Sequence, residues 1–328
     1  MLMHARRCRC CIFLTVAAIA LLTPISHAQE NYPSRPIRLV VPLAPGGGAD
    51  LTSRLVTTRM TESWGQPVII DNRPGAGTQI GTEIVQRSAP DGYTILLANA
   101  AHSINPSLYR KVSYHPTRDF TPLSLAISFP FLLCSPASLP AKTVKELISL
   151  AKSQPGKLSY ASSGAGNTNH LAGELFKIMG GVDIVHIAYK GGAPALADVM
   201  RGQISIHFGA VLQTLPQVRA GRLRGYGVST LKRSANAPEL PTLDEAALPG
   251  FNVTGWFAFL GPAGMSEQIQ AKLNGEMIRI LSEGDVKERL IALGTEPWPS
   301  KPEELQVWIT QEYERWGNVV RTAKIAAD

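Results

Sequence analysis

Short apolar runs rich in β-branched residues alternate along this chain with segments in which hydrophobic positions recur every three or four residues. Most of the short runs end in Gly, Pro, Asn or Ser. This alternation is typical of α/β architecture with parallel strands. The predicted strands are residues 37–41, 68–70, 94–98, 131–134, 158–160, 184–188, 204–208, 223–228 and 256–260.

The helical pattern predicts five helices between these strands and two longer ones near the C-terminus. The five are residues 51–64, 78–88, 144–153, 171–179 and 193–200. One C-terminal face is formed by Ile269, Leu273, Met277, Ile280 and Leu281, and the other by Leu305, Trp308, Ile309, Tyr313, Trp316 and Val320. We interpret the aromatic stripe of the last helix as a packing face rather than a cofactor site.

Chain length predicts more than one lobe, because about 300 residues exceed what a single core usually holds. Linkers are expected near residues 124–130 and 228–254, where the regular alternation is interrupted. The predicted first lobe therefore comprises residues 29–127 together with 255–328, and the second comprises residues 128–254.

Residues 1–28 have the pattern of a secretory signal peptide. Arg6, Arg7 and Arg9 precede an apolar run at 11–22, and Ser26-His27-Ala28 forms a small-x-small cleavage site. The run is shorter than the roughly 20 residues that cross a bilayer, so an uncleaved anchor is the less favoured alternative. We expect cleavage after Ala28 and export to the periplasm.

Cysteine use and charge fit an exported protein that binds small solutes. Three of the four cysteines lie in the predicted leader, so the mature chain keeps only Cys134 and cannot form an internal disulfide. The net charge of +7 falls to +4 once the three leader arginines are removed. Lys and Arg are scattered, which predicts no nucleic-acid partner, while a mildly positive field favours anionic solutes.

Two strands run directly into glycine-rich turns that open helices, at residues 40–50 and 158–168. Free backbone amides and the helix dipole at such a turn form an anion site without a charged side chain. In open α/β sheets, ligands bind beyond the carboxyl ends of strands, where these turns fall. Similar turns occur at 73–81 and 190–194. Two such sites facing each other would form a clamp.

Dinucleotide binding is the first alternative for glycine-rich turns, and Asp71 follows the second strand where a ribose contact is expected. The glycine spacing of the dinucleotide pattern argues against it. After Gly46 and Gly48 the pattern requires a third glycine where Leu51 stands. After Gly75 and Gly77 the next glycine, Gly81, comes one residue later than the pattern requires. An exported protein would also be separated from the cell's pool of nicotinamide dinucleotides. No cofactor is predicted.

Hydrolase and metal chemistry are also poorly supported. No Gly-x-Ser-x-Gly elbow occurs, although a triad assembled from distant residues around Ser163 stays open as an alternative. No histidine pair has metal-ligand spacing on a helix, so no metal site is predicted. Asp50 is better explained as a helix cap than as a ligand contact, and Lys190 fits either a ligand contact or a solvated turn.

The chain resembles the Bug-type (TctC-like) extracytoplasmic solute-binding receptors of tripartite tricarboxylate transporters. The resemblance covers essentially the whole mature chain. It rests on VPLAPGGGAD at 41–50, DNRPGAG at 71–77, PDGYT at 90–94, INPSLY at 104–109, YASSG at 160–164, HLAGE at 170–174, YKGG at 189–192 and GPAG at 261–264.

This resemblance implies a two-lobed periplasmic-binding-protein (Venus flytrap) fold, monomeric and without catalysis, that closes on a small mono- or dicarboxylate. Backbone amides and bridging waters of both lobes would hold the ligand, and membrane components of such a transporter would receive it. By position, the first-lobe contacts are Leu43, Ala44, Gly47, Gly48, Asp50, Asn99, Ala101 and His102. The second-lobe contacts are Ser162, Ser163, Gly164, Asn167, Thr168, Lys190, Gly191 and Gly209.

Two positions depart from what the resemblance implies. Leu43 replaces an expected aromatic residue, and Gly209-Ala210 stand where an Asp-Asn pair is frequent. The missing carboxylate disfavours amino acids as ligands relative to plain carboxylates. A receptor that reports to a signalling partner instead of a transporter remains an alternative, as does, less favoured, a periplasmic hydrolase.

Overall fold

The structure is a computed structural model that describes residues 32–323 and 325. The predicted leader and its cleavage site therefore lie outside the described residues. Among the described residues the strands number ten: β1 Ile37–Val41, β2 Val68–Asn72, β3 Thr94–Asn99, β4 Phe120–Pro136, β5 Ser159–Ser162, β6 Val185–Ala188, β7 Ile206–Ala210, β8 Leu223–Val228, β9 Thr254–Pro262 and β10 Glu296–Pro297.

Eleven α-helices lie between and after these strands in the described part of the chain. They are α1 Gly48–Trp64, α2 Gln79–Gln86, α3 Ala101–Leu108, α4 Val144–Ser153, α5 Thr168–Gly180, α6 Gly192–Met200, α7 Val211–Arg219, α8 Leu243–Ala246, α9 Glu267–Ser282, α10 Gly284–Ala292 and α11 Pro302–Ala323. All seven predicted helices are confirmed: α4 has the predicted bounds, and the others have shifted ends. The pattern missed α3, α7, α8 and α10.

The same parallel unit occurs twice. In the first, β1 lies between β2 and β3, and in the second, β5 lies between β6 and β7. In each unit the strand that follows the central strand in sequence pairs on one side of it, and the next parallel strand pairs on the other side. The direction of winding therefore reverses between β1 and β3 and again between β5 and β7, and such switch points are where open α/β sheets bind ligands.

β4 joins the two units and corrects the expectation of a parallel sheet. Its first part pairs antiparallel with β9, and its second part pairs antiparallel with β7 and β8. The sheet is therefore mixed rather than parallel. The linker expected near residues 124–130 lies within β4, just before the strand passes from pairing with β9 to pairing with β7. Register shifts near Pro122 and between Leu125 and Ile127 let the strand accommodate proline.

The core contains the residues that the sequence assigned to packing. Cys134 is buried, and burial raises the pKa of its thiol well above the usual range. Trp316 of α11 is fully buried, which confirms a packing role for this face. The buried carboxylate of Glu312 accepts hydrogen bonds from the indole nitrogens of Trp256 at 3.1 Å and Trp316 at 2.9 Å.

Two further features bear on function. Across residues 32–323, none of the helices combines the length and apolar character that a membrane span requires. The same residues hold no group of three His, Cys, Asp or Glu side chains arranged to bind a metal ion.

Candidate functional site

Four strand ends form the candidate site, two at each switch point. The loop at 42–47 follows β1, and α3 begins directly after β3. In the second unit, the loop at 163–167 follows β5, and α7 begins directly after β7. We call the β1 and β3 ends the first cradle and the β5 and β7 ends the second cradle.

The first cradle presents the N-terminus of α1. Its N-cap Gly47 has extended backbone angles and no side-chain cap, and the first helical hydrogen bond runs from Leu51 N to Gly47 O. The amides of Gly48, Ala49 and Asp50 thus lack a helical acceptor. Asn72 Nδ2 donates to Leu43 O at 3.0 Å and fixes the loop, in which Ala44 is exposed.

Asp50 is buried in the first turn of α1 and engaged by its own neighbours. Its Oδ2 accepts hydrogen bonds from the Gly46 amide at 3.1 Å and from Arg54 Nε at 2.9 Å. A carboxylate at this position also interacts favourably with the helix dipole. These contacts support the loop and leave Asp50 compensated rather than free to attract a ligand cation.

The β3 end supplies Asn99 and the first turn of α3. The amides of Ala101 and His102 have no acceptor within the helix. The His102 ring is buried against Tyr114 and Phe120, and its Nε2 donates to Pro116 O at 2.8 Å. The predicted His102 contact is therefore limited to its backbone amide, because the core encloses the side chain.

The second cradle presents the N-terminus of α5. Asn167 is the N-cap but makes no side-chain cap, and its Nδ2 donates to Ser163 O at 3.2 Å. The amides of Thr168 and Asn169 thus remain without helical acceptors. Gly164 has a φ of +137° and lies in the left-handed region that favours glycine.

The two serines of this loop bear on the hydrolase alternative. Ser163 Oγ donates to Asn169 Oδ1 at 2.9 Å and contacts no histidine among its hydrogen-bond partners in the described residues. Ser162 Oγ lies 2.6 Å from His186 Nε2, but Ser162 is fully buried and its Oγ accepts from Gly164 N at 3.2 Å. This serine-histidine pair braces the loop.

The remaining predicted residues lie at the ends of β6 and β7. Lys190 is exposed and Gly191 is the N-cap of α6, but β6 is outside the switch point. Gly209 is in β7, at the switch point. A Cβ on Gly209 would lie 2.0 Å from Thr214 Oγ1, so the Thr214 side chain of α7 packs directly on this backbone.

The two cradles face and touch each other. Asn99 Nδ2 donates to Asn167 Oδ1 at 3.4 Å, and Tyr109 OH donates to Ala165 O at 3.3 Å. A Cβ on Gly166 would lie 2.8 Å from Asn105 Oδ1. The structure therefore brings the β3 end and α3 against the loop of the second cradle.

Sequence reasoning found Asn99 but missed several other polar residues of this region. Buried oxygens without a hydrogen-bond partner among the described residues include Asn99 Oδ1, Asn105 Oδ1, Thr78 Oγ1 and Thr214 Oγ1. Buried polar atoms usually find partners, so this concentration around the strand ends is typical of a site for a polar solute. INPSLY at 104–109 was the available signal, since it contains both Asn105 and Tyr109.

The family comparison points to one class of protein. A model of the TctC family, the tripartite tricarboxylate transporter family receptors, matches residues 52–325. Among curated relatives, protein BugT of Bordetella pertussis is 34% identical over 312 residues, which are 94% of this chain and 94% of BugT.

Three solved structures share the fold. R. palustris Rpa4515 with adipate is 36% identical with a TM-score of 0.86, and the match covers 90% of this chain and 99% of that one. The periplasmic binding protein BugD is 34% identical with a TM-score of 0.84, over 90% and 100%. MatC from Rhodopseudomonas palustris with bound malate is 33% identical with a TM-score of 0.82, over 88% and 100%. These similarities confirm the predicted two-lobed α/β fold class.

Proposed function

Because this chain belongs to the tripartite tricarboxylate transporter receptor family, we propose that it captures a small mono- or dicarboxylate between its lobes and delivers it to the membrane components of such a transporter. As a member of this family, the chain is a solute-binding receptor and not an enzyme. The lobes we propose are residues 29–127 with 255–328, and residues 128–254.

The observation that carries this proposal is the pair of facing cradles at the two switch points. In each cradle the first-turn amides of a helix, α1 or α5, have no side-chain cap, so we infer that they are available to a ligand between the lobes. Hydrogen bonds from amides to a carboxylate contribute about 1.5–3 kcal/mol each, so a few per cradle suffice for micromolar affinity. The clamp needs no arginine, and the loops at 42–50 and 162–168 contain none.

The charge around the cradles supports a plain carboxylate over an amino acid. Asp50 is the one acidic residue among the predicted contact residues, and Arg54 and the Gly46 amide already engage it. An ammonium group in the cleft would thus lack a free counter-charge. The relatives found with adipate and malate bind carboxylates without an amino group.

Carboxylate binding is expected to stabilise the protein. Adipate or malate at about 100 times its dissociation constant should add about 2.7 kcal/mol to the free energy of unfolding. Adipamide, which has the length of adipate without its charge, should have no effect, and succinate should bind more tightly than aspartate. Thermal unfolding and calorimetry measure these differences. Equal binding of adipamide, or recovery of chemically altered ligand, would contradict the proposal.

Export is the second part of the proposal, since the related BugD is a periplasmic binding protein. We expect the mature chain to begin at Gln29 in the periplasm, because Ser26-His27-Ala28 fits signal peptidase. Mass spectrometry of the periplasmic fraction measures the terminus. A periplasmic product that still contains Cys8, Cys10 and Cys11 would show that this assignment is wrong.

A further inference from the structure

Three aromatic rings stack directly behind the second cradle. The centroid of the His186 ring lies 4.0 Å from that of the His170 ring and 4.8 Å from that of the Tyr160 ring. The interplanar angles are 21° and 25°, respectively. His170 and Tyr160 are buried. The HLAGE and YASSG segments therefore meet in one cluster that the carboxylate contacts alone do not explain.

The cluster is anchored on α5. Tyr160 OH donates to Glu174 Oε1 at 2.6 Å, and Lys177 Nζ donates to the same oxygen at 3.0 Å. A Cβ on Gly173 would lie 2.1 Å from the Tyr160 ring, so only glycine leaves room for the tyrosine here. Tyr160 is thus held in one position, and it fixes the two imidazoles stacked against it.

The imidazoles in turn contact the cradle loop. The amide of Gly166 donates to His170 Nδ1 at 3.2 Å. His186 Nε2 shares a hydrogen bond with Ser162 Oγ, which accepts from the Gly164 amide. Gly164 and Gly166 both have positive φ and no side chain that could hold the loop. Side chains from the cluster therefore supply what the loop lacks.

An imidazole can accept this amide only in its neutral form, with the proton on Nε2. Burial, assisted by His186 and Lys177, lowers the pKa of His170 to about 3. Burial likewise lowers the pKa of His186 to about 4, although Glu174 opposes the shift. Both rings are therefore neutral wherever the protein is folded near pH 7.

Gly166 is also the point at which the second cradle meets the first lobe. Asn105 and Leu108 of α3 approach its α-carbon so closely that a Cβ would lie 2.8 Å from each. A shift of Gly166 toward α3 would therefore obstruct closure. A shift the other way would displace Asn167, the N-cap of α5.

We propose that His170 is a positioning residue for ligand capture: by accepting the Gly166 amide at Nδ1, it sets the loop so that the α5 amides face the ligand and α3 can close on it. His170 makes no contact with the ligand in this role. The effect on affinity rests on the proposed carboxylate function, whereas the effect on the loop does not.

Two substitutions separate positioning from packing. His170→Phe keeps a ring for the stack but removes the acceptor of the Gly166 amide. His170→Asn places the side-chain Oδ1 near the position of Nδ1 and so keeps an acceptor for this amide. In ligand-free protein labelled with ¹⁵N-glycine, we expect exchange of the Gly166 amide with solvent to accelerate about tenfold in His170→Phe. Exchange in His170→Asn should stay close to wild type.

Adipate affinity, measured by calorimetry, should follow the same order, with a loss of about tenfold in His170→Phe and rescue in His170→Asn. If wild type binds neither adipate nor malate, the functional proposal loses its support, while the exchange data still test the loop. Unchanged Gly166 exchange in His170→Phe, or equal acceleration in both variants, would overturn the positioning role. Should His170→Phe not fold, ¹⁵N spectra of wild-type His170 decide: a proton on Nδ1 would refute the proposal.

Discussion

Valine in place of Gly47 is expected to weaken carboxylate binding about a hundredfold or more. The side chain would occupy the space in front of the α1 amides and deny the ligand at least two charge-assisted hydrogen bonds, each contributing about 1.5–3 kcal/mol. The backbone tolerates the change, because Gly47 has φ −89° and a Cβ on it would lie 4.0 Å from the nearest atom, Ala44 O.

Two control variants make this result specific. Gly284→Val places the same side chain at the start of α10, away from both cradles and with open space around it, and should leave affinity unchanged. Lys190→Ala removes an exposed charge and should weaken binding by less than about 1 kcal/mol. Calorimetry with adipate compares the three. If Lys190→Ala destroys affinity while Gly47→Val is mild, a side-chain ion pair holds the ligand.

Gly164 does not offer an equivalent test. Its φ of +137° disfavours any residue with a side chain, and a Cβ would lie 2.9 Å from Asn167 Nδ2. Valine there would distort the cradle loop as well as block it. The sequence shows two similar glycine-rich turns, but only the backbone angles reveal that one glycine is replaceable and the other is not.

The strands could be predicted where local pattern and tertiary pairing agree. β1 and β8 have the predicted bounds because each is an apolar run that ends at a turn. β4 was reduced to four residues because Pro122 and Pro130 disfavour a central strand in a local pattern. Its pairing with β9, which lies far along the chain, and its register shifts overcome that preference.

The candidate site was predictable in its backbone and less so in its side chains. A strand followed by a glycine-rich turn and a helix indicates free backbone amides at the start of that helix. Both cradles could therefore be found from the sequence. The direction of the His102 ring depends on Tyr114 and Phe120, and the contact of Tyr109 with Ala165 joins residues of the two proposed lobes. Neither contact could be predicted from the sequence pattern alone, because each depends on residues that only the fold brings together.

The buried histidines are expected to make the protein markedly less stable in mild acid. Burial lowers the pKa of His102, His186 and His207 to about 4 and that of His170 to about 3, against 6.5 in the unfolded chain. Between these values the unfolded chain binds protons that the folded chain does not. The stabilising contribution of each histidine is thus complete above pH 6.5 and is lost as the pH falls toward 4. For each histidine, the folding equilibrium constant falls by up to about tenfold per pH unit in this range.

Urea unfolding of the ligand-free protein between pH 7 and 5 measures this slope, since carboxylates stay largely ionised in that range. His102→Gln and His207→Asn should each reduce the slope by about one proton. Gln can still donate to Pro116 O as His102 Nε2 does, and Asn can donate to Ala161 O as His207 Nδ1 does, without titrating. Stability that stays constant down to pH 5, or an undiminished slope in both variants, would mean that these rings accept protons in the folded protein and that the core around them admits charge.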